Sequence, residues 1–193
     1  YTGSVKEAKK QLDNSKKIIS TYPEKIKKAK QDLTKKQKQL MNINKKLKKA
    51  KKQADNKAKN LQSKQNAYEQ SKQKNDELNT VSRYIGEFSR ENKSDISQLT
   101  KDIEEKLASS NKDMTSKNNA YKKASNQADK TQKTYDSYST KKNQLTSQIS
   151  KLKNNISSYG SVYKNAKMNL AAYSSSYNQA LAQETTGRVS ARK

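Results

Sequence analysis

The sequence predicts an all-α fold, a long antiparallel two-helix coiled-coil hairpin. Three observations carry this: an apolar composition too thin for a globular core, two heptad runs that each keep one phase over many turns, and a short break between them. Hydrophobic residues are 29% of the 193, with 4 Gly and 1 Pro. Leu, Ile, Val and Phe are scarce enough that composition alone would suit a disordered chain. A two-helix coiled coil is the ordered alternative, because its seam needs only about two apolar residues in seven.

The first run steps by seven from Val5 through Leu12, Ile19, Ile26, Leu33, Leu40, Leu47, Ala54 and Leu61 to Tyr68. Three residues after each stand Ala8, Ser15, Tyr22, Ala29, Lys36, Ile43, Ala50, Lys57, Lys64 and Ser71, followed by Leu78; this set is apolar in its first half and leakier in its second. Together they predict a helix over about 4–85. The second run passes through Leu107, Met114, Tyr121, Ala128, Tyr135, Lys142, Ile149, Ile156, Tyr163, Leu170 and Tyr177, with Ala124, Tyr138, Leu145, Leu152, Tyr159, Ala166, Tyr173 and Ala180 as its companions. Ile96 and Ile103 extend it upstream, so a second helix is expected over about 95–183. A disordered polar chain does not hold one phase for so long.

A turn is expected at about 86–94. Leu78, Val81, Ile85 and Phe88 keep a 3-4-3 spacing one residue out of register with the earlier heptads, Gly86 suits a helix end, and Ser94 or Asp95 suits a cap just before Ile96. Folding the chain there makes facing residue numbers sum to near 181. Val5 then meets the Tyr177 region, Ala8 meets Tyr173, Leu12 meets Leu170, Ile26 meets Ile156, Leu33 meets Ile149 and Ile43 meets Tyr138, with Ala54 near Ala124 and Ala128. Pro23 and Gly160 fall in one layer, which predicts a kink near 23. The alternative is a separate helix over 4–20, with Thr21 capping the next one; seam continuity through Ile19, Tyr22 and Ile26 favours the kink. Each arm of about 80 residues would run roughly 120 Å. Residues 1–4 and 184–193 read as frayed. The architectural rival is a parallel dimer of extended chains, which would oppose Lys36 to Lys36 and Lys57 to Lys57; the hairpin avoids both.

Residue types argue against catalysis. With no His and no Cys the usual bases, nucleophiles and zinc ligands are missing. Glu104 and Glu105 point in neighbouring directions on a helix surface, no glycine-rich phosphate loop appears, and a two-helix rod has no interior in which to desolvate a substrate. No enzyme activity, cofactor or metal is expected. No apolar stretch approaches about 20 residues, so no membrane span is expected, and a signal or anchor would belong to another part of a longer protein.

Charge is the strongest functional signal. Lys and Arg number 43 against 18 Asp and Glu, a formal +25. Such a chain attracts polyanions: teichoic acids, glycosaminoglycans, nucleic acid, anionic headgroups. The densest block lies between Lys25 and Lys59, and Lys27, Lys28, Lys35, Lys38, Lys45, Lys48, Lys49 and Lys52 are the candidate polyanion contacts. The block is expected to surround the seam as a cationic cylinder. Lysine point charges neutralise phosphates or sulfates but lack the forked geometry that reads bases. The plainer reading is that lysine merely keeps a thin rod soluble. The 11 Tyr are expected to cover the seam with their hydroxyls at the wet edge. Near the turn, Arg83, Tyr84, Ile85, Phe88 and Arg90 form a candidate contact, because aromatic and Arg residues on a rigid support make hot spots. The plainer reading there is that Ile85 and Phe88 plug the end of the seam.

The Lys, Asn, Ser, Gln and Tyr bias, with long cysteine-free heptads along the whole chain, resembles the helical regions of cell-wall surface proteins from lactobacilli, enterococci and streptococci, of the adhesin and surface-exclusion types. That resemblance implies export, cell-wall association in a Gram-positive organism, and a role in adhesion, aggregation or shielding. Those proteins are usually acidic or mixed in charge, and +25 departs from that towards the basic surface proteins that hold anionic wall polymers. The functional expectation is a non-catalytic cell-surface stalk or adhesion module, monomeric or weakly homo-oligomeric. It would bind teichoic acid, glycosaminoglycan or extracellular DNA, and would meet another surface protein or host receptor at its tip. A purely structural spacer or oligomerisation coiled coil is one alternative, and a sequence-independent nucleic-acid-binding protein is another.

Overall fold

In a computed structural model the chain forms two helices, α1 (Gly3–Asn92) and α2 (Ser97–Arg192), packed against each other as a helical hairpin. Residues 3–92 and 96–192 are described, with side chains at 4–91 and 96–187, and none of them lies in a strand. Contacts divide the chain into two compact units, Tyr1–Asn42 with Lys141–Lys193, and Ile43–Thr140.

In the first unit the heptads read from the sequence are the buried positions. Val5, Leu12, Ile149 and Ala166 are buried with Ser15, while Ile19, Tyr22, Ile26, Leu33, Leu40, Ile156, Tyr159, Leu170 and Tyr173 are half-buried. Burying a side chain the size of Val5, Leu12 or Ile149 contributes about 1.5–3 kcal/mol. The expected register holds here: the Tyr22 and Tyr159 rings, which sum to 181, meet edge to face at 5.9 Å and 79°. The Lys25 ammonium sits over both, 5.0 Å from the first ring centre and 4.5 Å from the second.

Helix α1 runs through Pro23 without a break, so residues 4–20 are not a separate helix. A capping Thr21 would accept from an amide further along the chain; instead its hydroxyl donates backwards to the Lys17 carbonyl at 2.7 Å, and Ser20 donates to the same oxygen at 2.9 Å. The seam residues on both sides of the proline hold one phase, and their packing offsets the single backbone hydrogen bond that proline removes. At the other end, α2 continues to Arg192, beyond the expected 183. Leu181 and Glu184 are still half-buried, and Thr185 donates to the Leu181 carbonyl at 3.0 Å. Thr185, Thr186 and Gly187 are poor helix formers, but each costs only about 0.5–1 kcal/mol.

The second unit has small residues in its seam, with Ala50, Ala54, Ala124 and Ile103 buried, and the Tyr68 and Tyr121 rings 6.0 Å apart. Below them lies a polar layer. Asn75 is buried and its amide nitrogen donates to Ser110 Oγ at 3.1 Å and to Asn111 Oδ1 at 2.8 Å. Its amide oxygen accepts from Asn79 at 3.0 Å, and buried Ser71 donates to Asp113 Oδ2 at 2.8 Å. These interhelical pairs sum to 184–186, not 181, which corrects the expected register in this unit. With alanines and serines in the seam, sequence matching alone sets little penalty on a slip of one helical turn; buried polar groups, which must find partners, set it instead.

The seam does not slip before the turn. Asn75, Ser82 and Ser89 continue the seven-residue steps from Tyr68 and are buried or half-buried, as are Leu78 and Ile85, whereas Val81 and Phe88 are 43% and 53% exposed. Polar residues hold the phase while two apolar ones leave it. Nor does Gly86 end the helix: α1 continues to Asn92. The Ile96 carbonyl accepts the first bond of α2 from the Thr100 amide at 2.9 Å, so Ile96 stands at the N-cap position. Ser94 and Asp95, the expected caps, lie outside the described residues. A methyl group added at Gly86 meets nothing within 4 Å. Gly86→Ala is therefore expected to stabilise the second unit by about 1 kcal/mol through helix propensity, read as a higher midpoint in urea unfolding followed by circular dichroism. A glycine that ended the helix would instead make the substitution destabilising.

Candidate polyanion faces and the turn end

The eight candidate lysines divide between the units, four in each, and all eight are exposed. At about 100° per residue, Lys27, Lys28, Lys35 and Lys38 occupy an arc of roughly 100° on the side of α1 away from Tyr22, Ile26, Ala29 and Leu33. Lys45, Lys48, Lys49 and Lys52 are spaced at i, i+3, i+4 and i+7, and their arc of about 100° lies directly opposite Ile43, Leu47, Ala50 and Ala54. The expected cylinder is thus sharpened in each unit into an outward lysine face. Further lysines lie nearer the seam: Lys36 and Lys57 are half-buried at seam positions.

None of the eight is ion-paired among the described residues, whereas Lys117 pairs with Asp113 at 3.9 Å. For six of them the reason is local composition: between Asp32 and Asp55 the sequence has nine lysines and no acidic residue, whereas Lys28 has Glu24 and Asp32 four residues to either side and pairs with neither. Charges that close together repel, and an external anion lowers that repulsion while releasing its own counterions.

The five turn-end candidates are not brought together. Ile85 is half-buried in the seam. Tyr84 (64% exposed) and Phe88 share a flank of α1 with Val81. Arg83 and Arg90 lie about 120–140° further round the helix, and Arg90 folds along its own backbone, Nε donating to the Gly86 carbonyl at 3.4 Å. Nearness in sequence suggested one patch; helical geometry makes two. On the aromatic flank the neighbours at helical spacing are Glu77 and Glu91, both exposed, so the face reads Glu77, Val81, Tyr84, Phe88, Glu91.

Charge is also segregated along the chain. Residues 76–105 hold eight acidic and four basic residues, a net −4, which leaves 39 basic and 10 acidic residues, +29, elsewhere. The total of +25 conceals this, because it averages an acidic turn end with a strongly cationic remainder.

Among the described residues no group of three or more acidic side chains is placed to hold a metal ion, and no helix is long and apolar enough to cross a membrane. No protein family, curated protein or solved structure matches the chain.

Proposed function

We propose that this chain is a non-catalytic coiled-coil module of an exported, cell-wall-associated surface protein, and that its outward lysine faces hold anionic polymers such as teichoic acid, glycosaminoglycan or extracellular DNA. One observation carries the reading: eight exposed lysines, in two quartets turned away from the seam, form no ion pair among the described residues. A solubilising surface needs only a modest net charge with both signs interspersed, and the run from Lys35 to Lys52 has one sign. The faces are flat and carry lysine rather than arginine, which suits recognition of charge density and spacing over recognition of sequence. The Gram-positive setting rests on the resemblance in composition and heptad style.

The test is binding of the purified chain to wall teichoic acid, heparin and duplex DNA across a salt series. Comparable affinities ordered by charge density, falling steeply between about 50 and 200 mM salt, are expected. Duplex DNA held far more tightly than the other two at equal charge would replace this reading with nucleic-acid binding. No binding to any of them at low salt would leave a structural spacer.

A further inference from the structure

We infer that the groove between the helices at Ser15 is a binding site for one uncharged, hydroxyl-rich ring, a neutral sugar residue. Four polar side chains are buried among the described residues, and three of them, Ser71, Asn75 and Ser110, are hydrogen-bonded to the opposite helix. Ser15 is the fourth. It is 4% exposed, has no hydrogen-bond partner among the described residues, and lines a groove of about 250 Å³. Its oxygen is not sealed from that groove. A buried hydroxyl without a partner in the chain is destabilising unless water or a ligand meets it.

The seam explains why the groove is there. In the first unit Ser15 faces Ala166, both small and both buried, between the larger layers of Leu12 with Leu170 and Tyr22 with Tyr159. The larger layers set the separation of the helices, and small facing small leaves the space between them open. Ile18 and Val162, both half-buried, make an apolar floor with Ala166. Exposed amides form the rims, Gln11 and Asn14 on α1 and Asn165 and Asn169 on α2, and half-buried Tyr173 stands at one end.

This lining selects the ligand. Charged residues are 32% of the chain, yet none lines the groove, so no contact in it favours an ionic group. A side-chain amide donates and accepts in one plane, which matches a pair of neighbouring hydroxyls. None of the four rim amides is hydrogen-bonded among the described residues. A sugar ring carries hydroxyl pairs round its edge and C–H groups on its faces, and the faces suit Ile18, Val162 and the Tyr173 ring. The volume is below the ~300–1,000 Å³ of sites that take drug-sized molecules, which fits one ring. None of the eight candidate lysines lines the groove, so the site goes beyond the polyanion reading and stands whether or not a polymer binds those faces.

The experiment is nuclear magnetic resonance titration of the isotope-labelled full chain with the methyl glycosides of glucose and of N-acetylglucosamine. It is run at about 0.5 M salt, where exposed charges are screened. Shifts in the side-chain amide resonances of Gln11, Asn14, Asn165 and Asn169 are expected, with a Kd on the order of 1 mM for a ligand of one ring. Ser15→Ala is expected to weaken binding about three- to tenfold without lowering the melting temperature, because the lost hydroxyl has no partner in the free chain. Asn165→Ala combined with Asn169→Ala, both at exposed positions, is expected to abolish binding while helical circular dichroism is unchanged. Glycerol, which has hydroxyls but no ring, is expected to shift none of the four amides. No shift with either glycoside, shifts spread over the whole chain, glycerol acting as the sugars do, or Ser15→Ala binding as tightly as the wild type would each overturn the inference.

Discussion

Replacing Lys27, Lys28, Lys35, Lys38, Lys45, Lys48, Lys49 and Lys52 together by Gln is expected to weaken heparin binding by about 10²–10³-fold at roughly 50 mM salt and to flatten its salt dependence. Affinity for a polyanion comes mostly from counterions released as cationic groups replace them. A protein making six to ten such contacts loses about 10³–10⁵ in affinity between 50 and 200 mM salt, so removing eight exposed charges removes a contribution of that order. Lysines elsewhere on the surface retain part of the binding, which is why the expected loss stops short of complete. Stability should not fall with it. The eight side chains are exposed, form no ion pair among the described residues and repel one another, so their neutralisation leaves the melting temperature unchanged or raises it. Isothermal titration of heparin into both proteins reads the affinity, and circular dichroism melting reads the stability. Equal affinities in the two proteins would mean that these faces are only solvated.

Asn75→Leu combined with Ser110→Leu is expected to raise stability by about 1–3 kcal/mol and to cost the molecule its single arrangement. The pair sits in the buried layer of the second unit, Asn75 5% and Ser110 9% exposed, with the Asn75 amide nitrogen donating to Ser110 and Asn111. Leucine in both places gains apolar burial, and the partners left behind, Asn79 and Asn111, are exposed and turn to water. What disappears is the requirement that a buried amide find its acceptors, which one-turn slips and extended pairings of two chains fail to meet. A higher urea midpoint is therefore expected together with a rise in average mass by sedimentation equilibrium. A variant that stays monomeric, with a single interhelical distance between spin labels on α1 and α2, would show that loop length and the first unit set the register alone.

The parts of the fold that were legible in the sequence are those where apolar residues carry the phase. From Val5 to Tyr68 every seventh residue is buried or half-buried, and Tyr22 meets Tyr159 in the expected register. Legibility ends where polar residues take over the same positions. Asn75, Ser82 and Ser89 keep the seam, but a search for apolar residues passes over them and follows Val81 and Phe88, which face water. The 184–186 pairing arises from hydrogen bonds whose partners are 35–42 residues apart, and no local spacing announces such bonds. Gly86 misled in the same way, and Pro23 stands inside α1 without ending it. Each weakens a helix by a small fraction of what a long packed seam supplies, so tertiary contact overrides propensity.

The functional surface was legible as composition and less so as geometry. The eight lysines were found because the run around them is dense, and the sharper statement, two outward faces opposite the seam, needed only the helical angle between each lysine and its nearest seam residue. At the turn end the same angle separates Arg83 and Arg90 from Phe88, and it places Glu77 and Glu91 beside the aromatic residues instead. The acidic character of residues 76–105 stands in the sequence as plainly as the lysine run, but a single net charge for the whole chain hides it.

The central claim, that the lysine faces hold anionic wall polymer, is tested most directly by binding the purified chain to isolated Gram-positive cell walls before and after teichoic acid is stripped from them. The expected result is retention on intact walls at low salt, release as salt passes about 0.2 M, and little binding to stripped walls. Equal binding to stripped and intact walls, or retention that salt does not reverse, would contradict it.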